Sequence, residues 1–223
     1  EYGYAFNEQR TRVYALAGSG FRAPDASDRY GYGGNPELKP ERSRNYEAGV
    51  KHALTPQQSL TLSAFHTDIE DLIDFTILSF DPFAGINQNV AEARIEGIEA
   101  AWIYAGSLWQ ARVEAIYQDP RDRSDDSRLL RRAQESLTVG LTRAFGPVLL
   151  GLDVLATGDR KDFGFPQDTT LDAYVLANLT AAWQATPSLS LIARVENLLD
   201  EDYELASTYN TPGRGVYVSM RYA

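Results

Sequence analysis

Long segments of alternating apolar and polar residues are joined by very short turns at one end and by long polar loops at the other, and this asymmetry narrows the possible folds sharply. The short joints are Asn7-Glu8-Gln9, Thr55-Pro56-Gln57, Ala105-Gly106-Ser107, Phe145-Gly146-Pro147 and Thr186-Pro187-Ser188. Between them fall the loops at 20–41, 76–88, 118–130, 157–170 and 200–213. An antiparallel barrel that crosses an outer membrane has this form, with short periplasmic turns and long external loops that bind things.

The strand period of two is clearest toward the C-terminus. Leu189, Leu191, Ala193 and Val195 share one face, while Ser190, Ile192, Arg194 and Glu196 share the other. An arginine and a glutamate two apart cannot both look into lipid, so their face is expected to line a wet interior. Leu137, Val139 and Leu141 behave alike, as do Val148, Leu150, Leu152 and Val154, and Trp109, Ala111, Val113, Ala115 and Tyr117. Trp102, Tyr104, Trp109, Phe145, Trp183 and Tyr222 flank short turns or the terminus, as an interfacial girdle would. Arg94 and Glu96 have the parity of Ile98, Ala100 and Trp102; either they stand above the bilayer, the favoured reading, or a bulge near Gly97 switches the face. About eleven strands are predicted, a short one at Tyr2–Phe6 and ten full ones. Bacterial barrels close on even numbers, so this count suggests part of a barrel.

The 223 residues carry no cysteine, which removes disulfides and thiolate metal sites, and two histidines on separate predicted strands. Mean hydropathy is −0.34 and no long apolar run exists, which excludes a membrane-spanning helix but not a barrel. With a net charge of −10 and no basic stripe, nucleic acid is not an expected partner. Glu1-Tyr2-Gly3-Tyr4 has neither a basic nor an apolar leader region, so a signal peptide is expected to have been removed or to lie upstream in a longer protein.

Several stretches, in order, resemble the TonB-dependent outer-membrane receptors: Gly20-Phe21-Arg22-Ala23-Pro24 with Gly34-Asn35-Pro36-Glu37-Leu38-Lys39-Pro40-Glu41-Arg42-Ser43, then Ala93-Arg94-Ile95-Glu96-Gly97-Ile98-Glu99-Ala100, then Glu196-Asn197-Leu198-Leu199-Asp200-Glu201-Asp202-Tyr203, with Pro212-Gly213-Arg214 before the last strand. Within that family the cobalamin receptors are echoed by Asn89-Val90-Ala91-Glu92-Ala93-Arg94-Ile95-Glu96-Gly97, Leu129-Leu130-Arg131-Arg132-Ala133 and Tyr203-Glu204. The resemblance implies an all-β fold, an antiparallel transmembrane barrel of which residues 1–223 are the C-terminal eleven or so of 22 strands, with the plug and early strands elsewhere. It implies a multi-pass protein of a Gram-negative outer membrane that takes up a scarce, large nutrient, with cobalamin first and a ferric siderophore as the alternative. It further implies contact with TonB through a plug, with outer-membrane lipids and lipopolysaccharide, and with the barrel assembly machinery. No covalently bound cofactor is expected. Outer-membrane strands usually finish on an aromatic, so a terminal Phe or Trp is expected beyond Arg221-Tyr222-Ala223.

The same resemblance marks Arg131, at the expected start of a downward strand, and Phe163, in Lys161-Asp162-Phe163-Gly164-Phe165, as ligand contacts. A guanidinium suits the amides and phosphate of a corrinoid, and an aromatic suits its flat macrocycle. The alternatives are a charged collar at Arg131-Arg132 and a loop-packing aromatic at Phe163, which lacks the hydroxyl of the tyrosine favoured by the receptor pattern. Tyr30 and Tyr32, in a glycine-rich stretch, are weaker loop candidates. Asp119, Asp122, Asp125 and Asp126 could suggest calcium, but Arg121, Arg123 and Arg128 between them favour an ion-paired loop. No catalytic constellation appears. His66 and Asp68 share a strand face without a nucleophile motif, and a soluble all-β binding module and a barrel enzyme remain as lesser readings.

Overall fold

A computed structural model describes residues 1–222 except 81, 90, 91, 165 and 166. The expectation about the residue following Ala223 therefore lies outside the described residues, as do Val90, Ala91 and Phe165 of the quoted motifs. In chain order the elements are β1 (Tyr2–Phe6), β2 (Thr11–Arg22), α1 (Ala26–Tyr30), β3 (Glu41–Thr55), β4 (Gln58–Glu70), β5 (Ile73–Phe80), β6 (Phe83–Asn89), β7 (Ala93–Ala105), β8 (Trp109–Asp122), β9 (Glu135–Phe145), β10 (Val148–Thr157), β11 (Arg160–Asp162), β12 (Thr169–Leu171), β13 (Tyr174–Thr186), β14 (Leu189–Glu196) and β15 (Gly215–Tyr222).

Eleven strands form one antiparallel sheet in the order β1-β2-β3-β4-β7-β8-β9-β10-β13-β14-β15. Each long strand pairs with the next long strand in sequence, the pattern of an up-and-down barrel wall. The five short joints stand where the sequence places them. Two repeat one device: the Thr55 hydroxyl accepts from the Gln57 amide (3.2 Å) and the Thr186 hydroxyl from the Ser188 amide (3.3 Å), each across a proline that presets the turn. In a third, Gly146 takes the positive φ (57°) that a two-residue hairpin asks of its first position.

Directly paired residues share a face, so register carries the apolar side across the sheet. One row runs Leu62, Ala100, Ala115, Leu137, Ala156 and Val175, and another runs Leu141, Leu152, Leu179, Val195 and Val216. All six girdle aromatics fall on this face, where the rings of Trp102 and Tyr104 stack at 6.4 Å. The opposite face is polar: Tyr14 donates to Glu47 (2.5 Å), Arg112 pairs with Glu114, and Arg194 pairs with Glu196 (3.0 Å) while lying over the Tyr217 ring. Strand β7 pairs with β4 and β8 without a register shift, so no bulge forms at Gly97 and Arg94 and Glu96 keep the face of Ile98, Ala100 and Trp102. At the long-loop end of the apolar face, His66 Nδ1 lies 2.9 Å from Glu96 and its Nε2 lies 3.0 Å from Asp68.

The loops hold more structure than their polarity suggests. The segment expected as a loop at 76–88 lies mostly in a β5–β6 hairpin, the one at 157–170 holds most of a β11–β12 pair, and β8 runs on to Asp122. Each corrects the expected boundaries. The reason is physical: a long loop must satisfy its own backbone groups, and short hairpins do so locally. The segment after β2 folds onto β5–β6: Asn87 N–H donates to Gly33 O (2.6 Å), its side chain donates to Asp28 O (3.0 Å), and Asn89 bridges Lys39 and Asp71. Arg22 donates to both carboxylate oxygens of Glu41 (2.8 and 2.9 Å), closing the base of that loop. No helix among the described residues is long and apolar enough to cross a membrane.

Candidate functional site

Three long loops meet at Asp162. It ends β11, is 0% exposed, and accepts three hydrogen bonds. Arg131 Nε–H donates to its Oδ1 (2.6 Å), the Phe163 amide donates to the same oxygen (2.8 Å), and the Ser207 amide donates to Oδ2 (2.6 Å). These donors come from the β8–β9 loop, the β10–β13 loop and the β14–β15 loop. Burial pushes the Asp162 carboxyl up, but the Ser207 amide, the Arg131 guanidinium and the Phe163 amide outweigh it and hold the group below the usual carboxylate range. An unpaired buried carboxylate would cost several kcal/mol, so the group keeps all three donors close.

Arg131 and Phe163, marked separately in the sequence, are thus brought together through the residue between them. Contrary to the expectation that it begins a strand, Arg131 precedes β9, which starts at Glu135. It lies in a turn at φ 59°, where its amide donates to Lys161 O (2.6 Å), and that bond holds the turn against strand pairing. Its side chain is 60% exposed and Phe163 is 43% exposed, so both face outward from the hub. Tyr30 and Tyr32 belong elsewhere. Tyr30 ends α1 at 73% exposure. Tyr32 donates to Phe83 O (3.0 Å) and lies 6.2 Å from the Phe75 and Phe83 rings, against β5–β6.

Beside the hub is a cavity of about 600 Å³, between the β12 segment and the β14–β15 loop. Thr169, Asp172, Tyr174, Asp202, Glu204 and Ser207 are among its walls. Thr169 is the strand partner of Asp162, and Ser207 is its amide donor, so the hub backs the cavity. Arg160, 5% exposed, donates to Glu204 O and lies over the Tyr174 ring, which in turn packs on Tyr203 at 4.8 Å. Sequence reasoning missed Asp162, Arg160 and these acidic walls. The quoted motifs contain Asp162, Asp202, Tyr203 and Glu204, but only as neighbours of the marked positions, with no role read for them.

In the neighbouring acidic loop, Arg121 pairs with Asp119 (2.8 Å) and Arg128 with Asp159 (3.2 Å), while Asp122 and Asp125 accept from the amides of Ser124 and Ser127. This is the ion-paired loop expected. Among the described residues no group of three or more His, Asp or Glu is placed to hold a metal ion.

Residues 2–198 match the family model described as TonB dependent receptor-like, beta-barrel. The chain is 37% identical over 216 residues to the vitamin B12 transporter BtuB of Vibrio vulnificus, covering 93% of this chain and 34% of that protein. It is 32% identical over 216 residues to the BtuB of Photobacterium profundum, covering 95% and 35%. It thus spans about a third of the length of these curated relatives. Among solved structures, the copper transporter OprC superposes with a TM-score of 0.82 at 21% identity, over 99% of this chain and 39% of that one. A ferripyoverdine receptor of the Pseudomonas aeruginosa outer membrane does so at 0.76 and 21%, over 99% and 32%. At these identities the superpositions speak to the fold.

Proposed function

The chain belongs to the TonB-dependent receptor-like β-barrel family, and on that premise we propose that it forms the C-terminal wall and ligand-binding loops of an outer-membrane receptor for a corrinoid. The observation that carries this reading is the joining of Arg131 and Phe163 at one buried carboxylate, beside an acid-walled cavity. A corrinoid offers a flat macrocycle, primary-amide arms and a phosphate. Phe163 supplies a face for the macrocycle, and the guanidinium of Arg131 supplies donors for amide carbonyls or phosphate. Asp172, Asp202 and Glu204 are acceptors suited to amide N–H groups. The same carboxylates oppose an anionic ferric chelate, which favours a corrinoid over a siderophore. The two BtuB relatives support the same choice.

In this account the apolar face meets outer-membrane lipid, the polar face meets a plug that TonB rearranges, and the long loops capture ligand without covalent chemistry. Titration of the intact receptor in detergent with cyanocobalamin tests it. Nanomolar binding that weakens at least tenfold in Arg131→Ala supports the corrinoid reading. A well-folded barrel that ignores cyanocobalamin and binds a ferric siderophore overturns it.

A further inference from the structure

We propose that Asp162 is a positioning residue that fastens three external loops into one body and aims Arg131 at incoming ligand. This rests on the reading of Arg131 as a ligand contact and adds how the contact is held in the free protein.

The segment around Asp162 is tied at successive residues. Asp159 pairs with Arg128 of the β8–β9 loop, and Arg160 donates to Glu204 O of the β14–β15 loop. Lys161 O accepts the Arg131 amide, and Asp162 grips both loops through Arg131 and Ser207. The attachments on the two sides alternate along the chain, then converge on one carboxylate. Asp162 binds Arg131 only at Nε. The two terminal nitrogens of the guanidinium, on a side chain that is 60% exposed, are left to a ligand. Oδ1 fixes the guanidinium and the Phe163 backbone together, so the two proposed contacts keep a set spacing. Through its strand pairing with Thr169 and its carboxylate's bond to the Ser207 amide, Asp162 shapes one wall of the cavity. Ordering these loops in the free receptor removes an entropic cost from binding, which is what pre-organisation means here.

The test uses the intact receptor with Asp162→Ala, Arg131→Ala, the double variant and the isosteric Asp162→Asn. Hydrogen exchange without ligand should rise in Asp162→Ala at both 128–133 and 203–209, segments that do not adjoin in sequence, with a milder rise in Asp162→Asn. Cyanocobalamin affinity should fall about tenfold in Asp162→Ala, and the double variant should lose clearly less than the product of the single losses, because the two residues act as a unit. Faster exchange at one segment only, or losses that multiply, would overturn the proposal. If the native receptor does not bind cyanocobalamin, the corrinoid reading fails while the exchange result still decides whether Asp162 fastens the loops.

Discussion

Arg131 holds a backbone conformation that costs an L residue about 1–2 kcal/mol, and its amide bond to Lys161 O and its pairing with Asp162 offset that cost. The consequence is specificity for arginine. Lysine keeps the charge but lacks a fork able to bind Asp162 at Nε and a ligand at the terminal nitrogens. Arg131→Lys should therefore bind cyanocobalamin nearly as poorly as Arg131→Ala, with both losing about 1.5–3 kcal/mol, the worth of a charge-assisted hydrogen bond. Isothermal titration reads this directly, and full rescue by lysine would contradict it. Asp162 predicts a pH dependence of definite sign. Its folded pKa lies below the unfolded value of about 3.9, so its contribution to loop order is complete above that value and is lost as pH falls through the folded one. Protection factors at 203–209 should hold steady from about pH 5 to 8 and drop on further acidification. Little of this was legible in sequence. Asp162 is one of 31 acidic residues, and its burial depends on Arg131 and Ser207, 31 and 45 positions away.

At the scale of the strand, the period of two was legible because it answers a one-dimensional constraint, apolar to lipid and polar to water. Leu152 sits on the apolar face between Leu141 and Leu179, whereas Thr138 sits on the polar face between Glu114 and Leu155. Leu152→Arg should destabilise the intact barrel by about 2–4 kcal/mol and Thr138→Arg by far less, as measured by reversible unfolding in lipid vesicles. Equal costs would contradict the assignment of faces. The small hairpins were not legible, because their partners are loops. Gly33 shows why: at φ 65° its Cα hydrogen faces Phe75 and the Gly85 carbonyl, and an added Cβ would meet them at 2.5 and 2.7 Å. Gly33→Ala should loosen the loop on β5–β6 and speed exchange at Asn87, whose amide bonds to Gly33 O.

For the whole molecule, the wall and the loops divide the work. An eleven-stranded antiparallel wall with one apolar and one polar face gives a membrane-spanning scaffold, and the scaffold sets three loops where one carboxylate can tie them together. The chain spans about a third of the BtuB relatives it matches, so the proposed capture and uptake are to be tested on the intact receptor. The most direct measurement is calorimetric titration of that receptor with cyanocobalamin and, in parallel, with a ferric siderophore. Nanomolar binding of cyanocobalamin, weakened at least tenfold by Arg131→Ala, is expected, with no measurable binding of the anionic chelate. Tight binding of the chelate by a folded receptor that leaves cyanocobalamin free would contradict the corrinoid reading.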